Sequence, residues 1–130
     1  MGNLPYYYNT YTGYGYSITE HAKLRIWERF KTMDIDREFS LYYKLLINDT
    51  IDRIVVANMN IGDEAIIKNC FNNKVYVVVL TTDLTIQLKT VYRDSYYRQF
   101  MPYAGQTMFR LYKDGTVHRY TPVSYTHLRA

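Results

Sequence analysis

One histidine and two arginines stand four residues apart in the stretch EHAKLRIWERF: His21, Arg25 and Arg29. Further along, TVYR adds Tyr92 and Arg93. These residue types are sufficient for cleavage of RNA without a metal. A base takes the 2′-hydroxyl proton, an acid protonates the leaving oxygen, and guanidinium groups stabilise the charged phosphorane. The nucleophile belongs to the RNA, so the protein need only supply His21, Arg25, Arg29, Tyr92 and Arg93 in one place. His118 is a second candidate acid or base. The competing reading is structural: Arg25 and Arg29 pair with Glu28 or nearby aspartates while their stems cover apolar surface, and His21 hydrogen-bonds at a helix N-terminus.

The elements that would position this set follow from periodicity. A first helix is expected from about Thr19 to Lys31, capped by Ser17 or Thr19. Its apolar stripe is Ala22, Ile26, Phe30 and Met33, with Trp27 beside it. At about 100° per residue, His21, Arg25 and Arg29 form a ridge along the edge of that stripe. A second helix starts near Asp34 or Asp36, with Ile35, Phe39, Tyr42, Tyr43 and Leu46 on its inner face. The segment RIVVA fits helix or strand. EAIIKNCF, VYVVVLT and TIQLKTVYR read as strands. In the last of these, Ile86, Leu88, Thr90 and Tyr92 share one face, and Gln87, Lys89, Val91 and Arg93 the other. TMFRLYKDGTVHRYTP is a hairpin turning at Asp114-Gly115. The predicted class is α+β: two N-terminal helices packed on a small antiparallel sheet, with a C-terminal β-hairpin.

The chain has 130 residues and a net charge of +4, which suits one domain with a mildly basic surface. From Leu84 to Pro122 there are six basic residues against two acidic ones, interleaved with tyrosines. Lys89, Arg98, Arg110, Arg119 and Tyr112 are therefore candidates for nucleic-acid binding, through phosphate pairing and base stacking. No phosphate loop, dinucleotide fingerprint or zinc-protease motif is present, so no cofactor or metal is implied. The single cysteine, Cys70, excludes an internal disulfide and is expected to be a buried, inert thiol. No apolar run approaches the roughly 20 residues of a membrane helix. With no basic-then-apolar leader, the expected location is the cytoplasm.

Residues 1–16 hold six tyrosines and no charge, and read as a flexible leader before a domain at 17–122. The last eight residues, VSYTHLRA, read as a translated sequencing adapter, so 123–130 is expected to be a non-native tail.

YSIT followed by HAKLRIWERF, a second helix, then strands closing on IQLKTVYR resembles the RelE/BrnT-like toxin superfamily, over roughly Gly15 to Arg93. The resemblance implies a helix pair on a small antiparallel sheet, and a metal-independent ribonuclease neutralised by an antitoxin partner. It singles out His21, Arg25, Arg29, Thr90, Tyr92 and Arg93. The tyrosine leader, the long link before the sheet and the added hairpin depart from that pattern. They suit a phage or mobile-element protein on the same scaffold. Such a protein would bind RNA or a host protein, inhibit a host defence nuclease without catalysis, or form part of a phage particle. The catalytic reading requires the ridge to converge with Tyr92 and Arg93. The binding reading requires exposed tyrosines and a ridge tied up in internal contacts.

Overall fold

The computed structural model describes residues 4–48, 50–70, 74–93 and 107–120. Along the chain the elements are β1 (Tyr6–Tyr8), β2 (Gly15–Ile18), α1 (Glu20–Phe30), α2 (Ile35–Asn48), α3 (Ile51–Asn58), β3 (Glu64–Asn69), β4 (Lys74–Leu80), β5 (Thr85–Arg93), β6 (Thr107–Leu111) and β7 (Val117–Tyr120). The β-branched runs of β3, β4 and β5 make a local antiparallel meander. Both flanks then join it by parallel pairing, β2 beside β5 and β6 beside β3. The result is one seven-stranded mixed sheet in the order β1-β2-β5-β4-β3-β6-β7.

Two expectations are corrected here. The sheet is large and mixed, not small and antiparallel, because β2 and β6 each find a parallel slot that local patterning cannot announce. The helices do not come first. Tyrosines assigned to a flexible leader form β1 and the start of β2, where Tyr6 pairs with Ser17 and Tyr8 with Gly15. Their missing charge is what a strand hairpin tolerates and a solvated leader does not require. The C-terminal hairpin exists as expected, but it extends the same sheet. Its turn is closed by Gly115 at φ 87° and by Thr116 donating to the Asp114 carboxylate from Oγ1 (2.6 Å) and N (3.0 Å). Those bonds hold the Asp114 carboxyl below its ordinary range.

Strands β2 and β3 run the same way, so α1, α2 and α3 form one long crossover between them. They bury one sheet face. Ala22 and Ile26 of α1, Phe39, Tyr42 and Leu46 of α2, and Ile51 and Val55 of α3 meet Ile67, Val78, Ile86, Leu88 and Phe109. Thr19 caps α1 by accepting from the Ala22 N–H at 3.0 Å. Asp34 does the same for α2 from Arg37 at 3.1 Å. Two polar groups enter this core with partners. Tyr42 donates to the Ile86 carbonyl at 2.7 Å. Tyr16, fully buried on β2, donates to the carboxylate of Asp52 in the first turn of α3, itself 2% exposed.

Gly15 opens β2 between two other strands. A methyl group there would overlap the Tyr6 hydroxyl and stand 2.7 Å from Thr85 Oγ1. Gly15→Ala is expected to lower stability by about 1–2 kcal/mol, the usual cost of overpacking. A urea titration checks it, and an unchanged midpoint would mean that β1 and β2 are not seated as described.

Strict alternation in β5 also fails. Val77 pairs with Thr90 and Val78 with Leu88, so Lys89 is an extra residue in a bulge. After the bulge the faces exchange. Val91 enters the helix-covered core with Ile86 and Leu88, while Tyr92 joins Ile66, Val75 and Met108 on the second face.

Candidate functional site

The bulge lies where β2 ends. β2 pairs with Thr85–Leu88 alone, which leaves the rest of that β5 edge without a strand. Helix α1 seals it. The Thr19 N–H donates to Leu88 O at 3.0 Å and Thr19 Oγ1 to Lys89 O at 3.3 Å. At the other end of α1, Arg29 Nη1 donates to Val91 O at 2.7 Å and to Thr90 Oγ1 at 3.2 Å. Its guanidinium carbon lies 4.2 Å from the centre of the Tyr92 ring. Arg93 answers from the strand: its Nε donates to the Arg29 carbonyl at 2.8 Å, and its guanidinium lies 4.9 Å from the Phe30 ring centre. Lys74 stands over the same ring and pairs with Glu38 at 2.8 Å. Arg29 and Arg93 thus latch helix to strand in both directions.

Of the five predicted catalytic residues, Arg29, Tyr92 and Arg93 are brought together at this latch. His21 and Arg25 are not. Eight residues of helix separate His21 from Arg29, about 12 Å along the axis. There Arg25 bridges, with Nε donating to His21 Nε2 at 3.3 Å and Nη1 paired to Glu28.

The nucleic-acid candidates also divide. Lys89, thrown outward by the bulge, is ion-paired to Glu64. Arg119 faces the helices, where Nη1 donates to Asn58 Oδ1 of α3 at 2.8 Å. Arg98 lies outside the described residues. Arg110 sits on the second sheet face, in register with Lys68 on one side and His118 on the other. Tyr112 meets the His118 ring edge-on at 4.9 Å. Continued through Val75, this row reaches Tyr92. At about 4.8 Å per strand it spans roughly 19 Å. Lys68 was not singled out in the sequence, since only the β3–β6 pairing places it there.

No family model, curated protein or solved structure matches the chain. The likeness to RelE/BrnT-like toxins therefore stands on the quoted residues alone. Among the described residues no three His, Cys, Asp or Glu side chains are placed to hold a metal, and no helix is long and apolar enough to cross a membrane. Cys70 is half-buried rather than buried.

Sequence reasoning placed Met33 and Trp27 at or beside the core stripe. The structure puts both outside. Lys31 adopts the left-handed conformation, φ 55°, its N–H returning to Trp27 O, and this ends α1 before Met33. Met33 is 81% exposed, Trp27 48% and Leu24 49%. Tyr6, Tyr7, Tyr8 and Tyr11 are exposed as well, with Tyr7 stacked on Tyr43 at 4.3 Å.

Proposed function

We propose that the protein is a non-catalytic binding protein that works by docking on a protein partner. One observation carries this reading: the cationic ridge is engaged within the molecule. Arg29 is committed to the β5 edge and Tyr92, Arg25 to His21 and Glu28, and Arg93 to the end of α1. A phosphorane needs cations directed at one point beside an acid and a base. Here the histidine and the latched arginines lie at opposite ends of a helix. The exposed side chains of Leu24, Trp27 and Met33, which line one apolar depression, support the same reading, because contiguous apolar surface marks contact with another macromolecule.

The test is incubation of the full chain with structured and unstructured RNA in EDTA, beside His21→Ala. No cleavage is expected. Cleavage by the parent that is lost in a folded His21→Ala protein would overturn the reading in favour of a ribonuclease.

The cross-strand row gives RNA binding as a second reading. Lys68, Arg110 and His118 stand at strand spacing on one face, with Tyr92, whose ring Arg29 covers, at the end of the row. Under it, Lys68→Gln with Arg110→Gln should weaken binding of a labelled single-stranded RNA about tenfold at low salt and flatten its salt dependence. An unchanged titration would remove this reading.

A further inference from the structure

Between the outer side of α1 and the start of α2 runs an open cleft of about 240 Å³. Leu24, Trp27, Met33 and Ile35 line it, with Glu20 and Lys23 at the rim. A polar extension shares Lys23, Met33 and Ile35 and adds Asp34 and Asp36. Three properties narrow the occupant. The volume is below the roughly 300–1,000 Å³ of small-molecule pockets, and suits one or two inserted side chains. The floor is apolar, with an exposed tryptophan of the kind that anchors protein interfaces. The lining sets three carboxylates, Glu20, Asp34 and Asp36, against the ammonium groups of Lys23 and of neighbouring Lys31, whose Nζ lies 5.9 Å from the Trp27 ring centre, so acidic groups still outnumber basic ones in a chain whose net charge is +4.

We infer that this cleft receives a segment of a protein partner in which a large apolar side chain is flanked by lysine or arginine. The apolar group covers Trp27 and Leu24, and the flanking cations face Asp34 and Asp36. The inference rests on the protein-binding reading above and gives it a location and a partner chemistry. Charge on the rim then selects among apolar segments, because like charges brought together at an interface are disfavoured.

The experiment uses the full chain and a displayed library of random dodecapeptides, selected on the parent and counter-selected on Leu24→Asp. Enriched peptides are then titrated by fluorescence. Trp27 is the only tryptophan, so its emission reports the cleft directly. Expected are apolar-anchored, Lys/Arg-flanked peptides that shift Trp27 emission to shorter wavelength. Their affinity should fall at least tenfold in Leu24→Asp and in Asp36→Lys, both confirmed as folded by circular dichroism. Enrichment without basic flanks, affinity unchanged in Leu24→Asp, or no enrichment on folded parent would each overturn the inference. Self-association that disappears in Leu24→Asp would overturn it in favour of a second copy of the chain. RNA cleavage in EDTA would sink the non-catalytic reading and leave the peptide result intact, so the two failures are distinguishable.

Discussion

Replacing Tyr16 with phenylalanine is expected to destabilise the protein by about 3 kcal/mol, because it takes a hydrogen-bond donor from a buried carboxylate. Asp52 is 2% exposed and receives the Tyr16 hydroxyl inside the core. Removing one member of a buried polar pair costs roughly 1–3 kcal/mol when the group left behind is neutral and 3–5 kcal/mol when it is a charge. Asp52 keeps the Arg53 N–H on its other oxygen at 2.7 Å, which places the loss at the lower end of the charged range. Adding Asp52→Asn to Tyr16→Phe should restore part of the loss, since an amide is less costly to bury. The pair also sets a pH dependence. Burial first, then the hydrogen bond and the negative charge of Asp52, push the Tyr16 hydroxyl above its ordinary value of 10.0. Tyr42 is pushed the same way by burial. In alkali the folded chain therefore keeps protons that the unfolded chain releases. The stabilisation is complete below pH 10 and is lost as pH climbs beyond it. Urea midpoints measured from pH 8 to 11 should fall in the parent and fall less steeply in Tyr16→Phe. A phenylalanine variant as stable as the parent at pH 7 would mean that Asp52 is not buried beside Tyr16.

Arg29→Ala is expected to cost about 2–3 kcal/mol. Bonds from a charged donor contribute roughly 1.5–3 kcal/mol, and a cation over an aromatic face about 0.5–1 kcal/mol more. Here both act, and deletion also exposes the Val91 carbonyl on a strand edge. Arg29→Lys should recover under half, because an ammonium cannot reach Val91 O and Thr90 Oγ1 while lying flat on Tyr92. His21→Ala, at the exposed end of the ridge, should change stability by less than about 0.5 kcal/mol. The three chemical-denaturation curves decide between a latch and a site. Equal, small effects at His21 and Arg29 would show that the latch contributes nothing to the fold.

How far the sequence could be read depended on whether each signal was local. The first helix was legible to within a residue or two, expected to run to Lys31 with Ser17 or Thr19 as cap and found to end at Phe30 with Thr19 as cap, because a hydroxyl cap and an i, i+4 stripe are short-range features. β5 was legible from Thr85 to Arg93 for the same reason. What period two cannot contain is an inserted residue. Lys89 looks like any outward strand position, yet it shifts Val91 inward and Tyr92 outward. Arg29, Tyr92 and Arg93 were singled out as chemistry; the contacts the structure gives them close an edge that exists only because β2 stops at Ile18. Parallel pairing was invisible, since nothing in YSI or TMFRL names a distant neighbour. The Tyr16–Asp52 pair was hidden likewise. One member sat in a segment taken for a loose leader, the other in a stretch equally readable as helix or strand.

The pairing of Gly15 with Thr85 has a bearing on how the chain is made. A ribosome delivers β1, β2 and all three helices before the strand that accepts β2 has been synthesised. Until then Tyr16 and Ile18 have no groove to enter, and the helices have no sheet to cover. The meander is the first unit of three strands able to assemble from near neighbours. The tyrosine hairpin must dock late, across a large sequence separation of the kind that slows folding. A vacant place beside β5 does not distinguish the hairpin of its own chain from that of another. On a crowded polysome, exchange of N-terminal hairpins between nascent chains is the misassembly this topology invites.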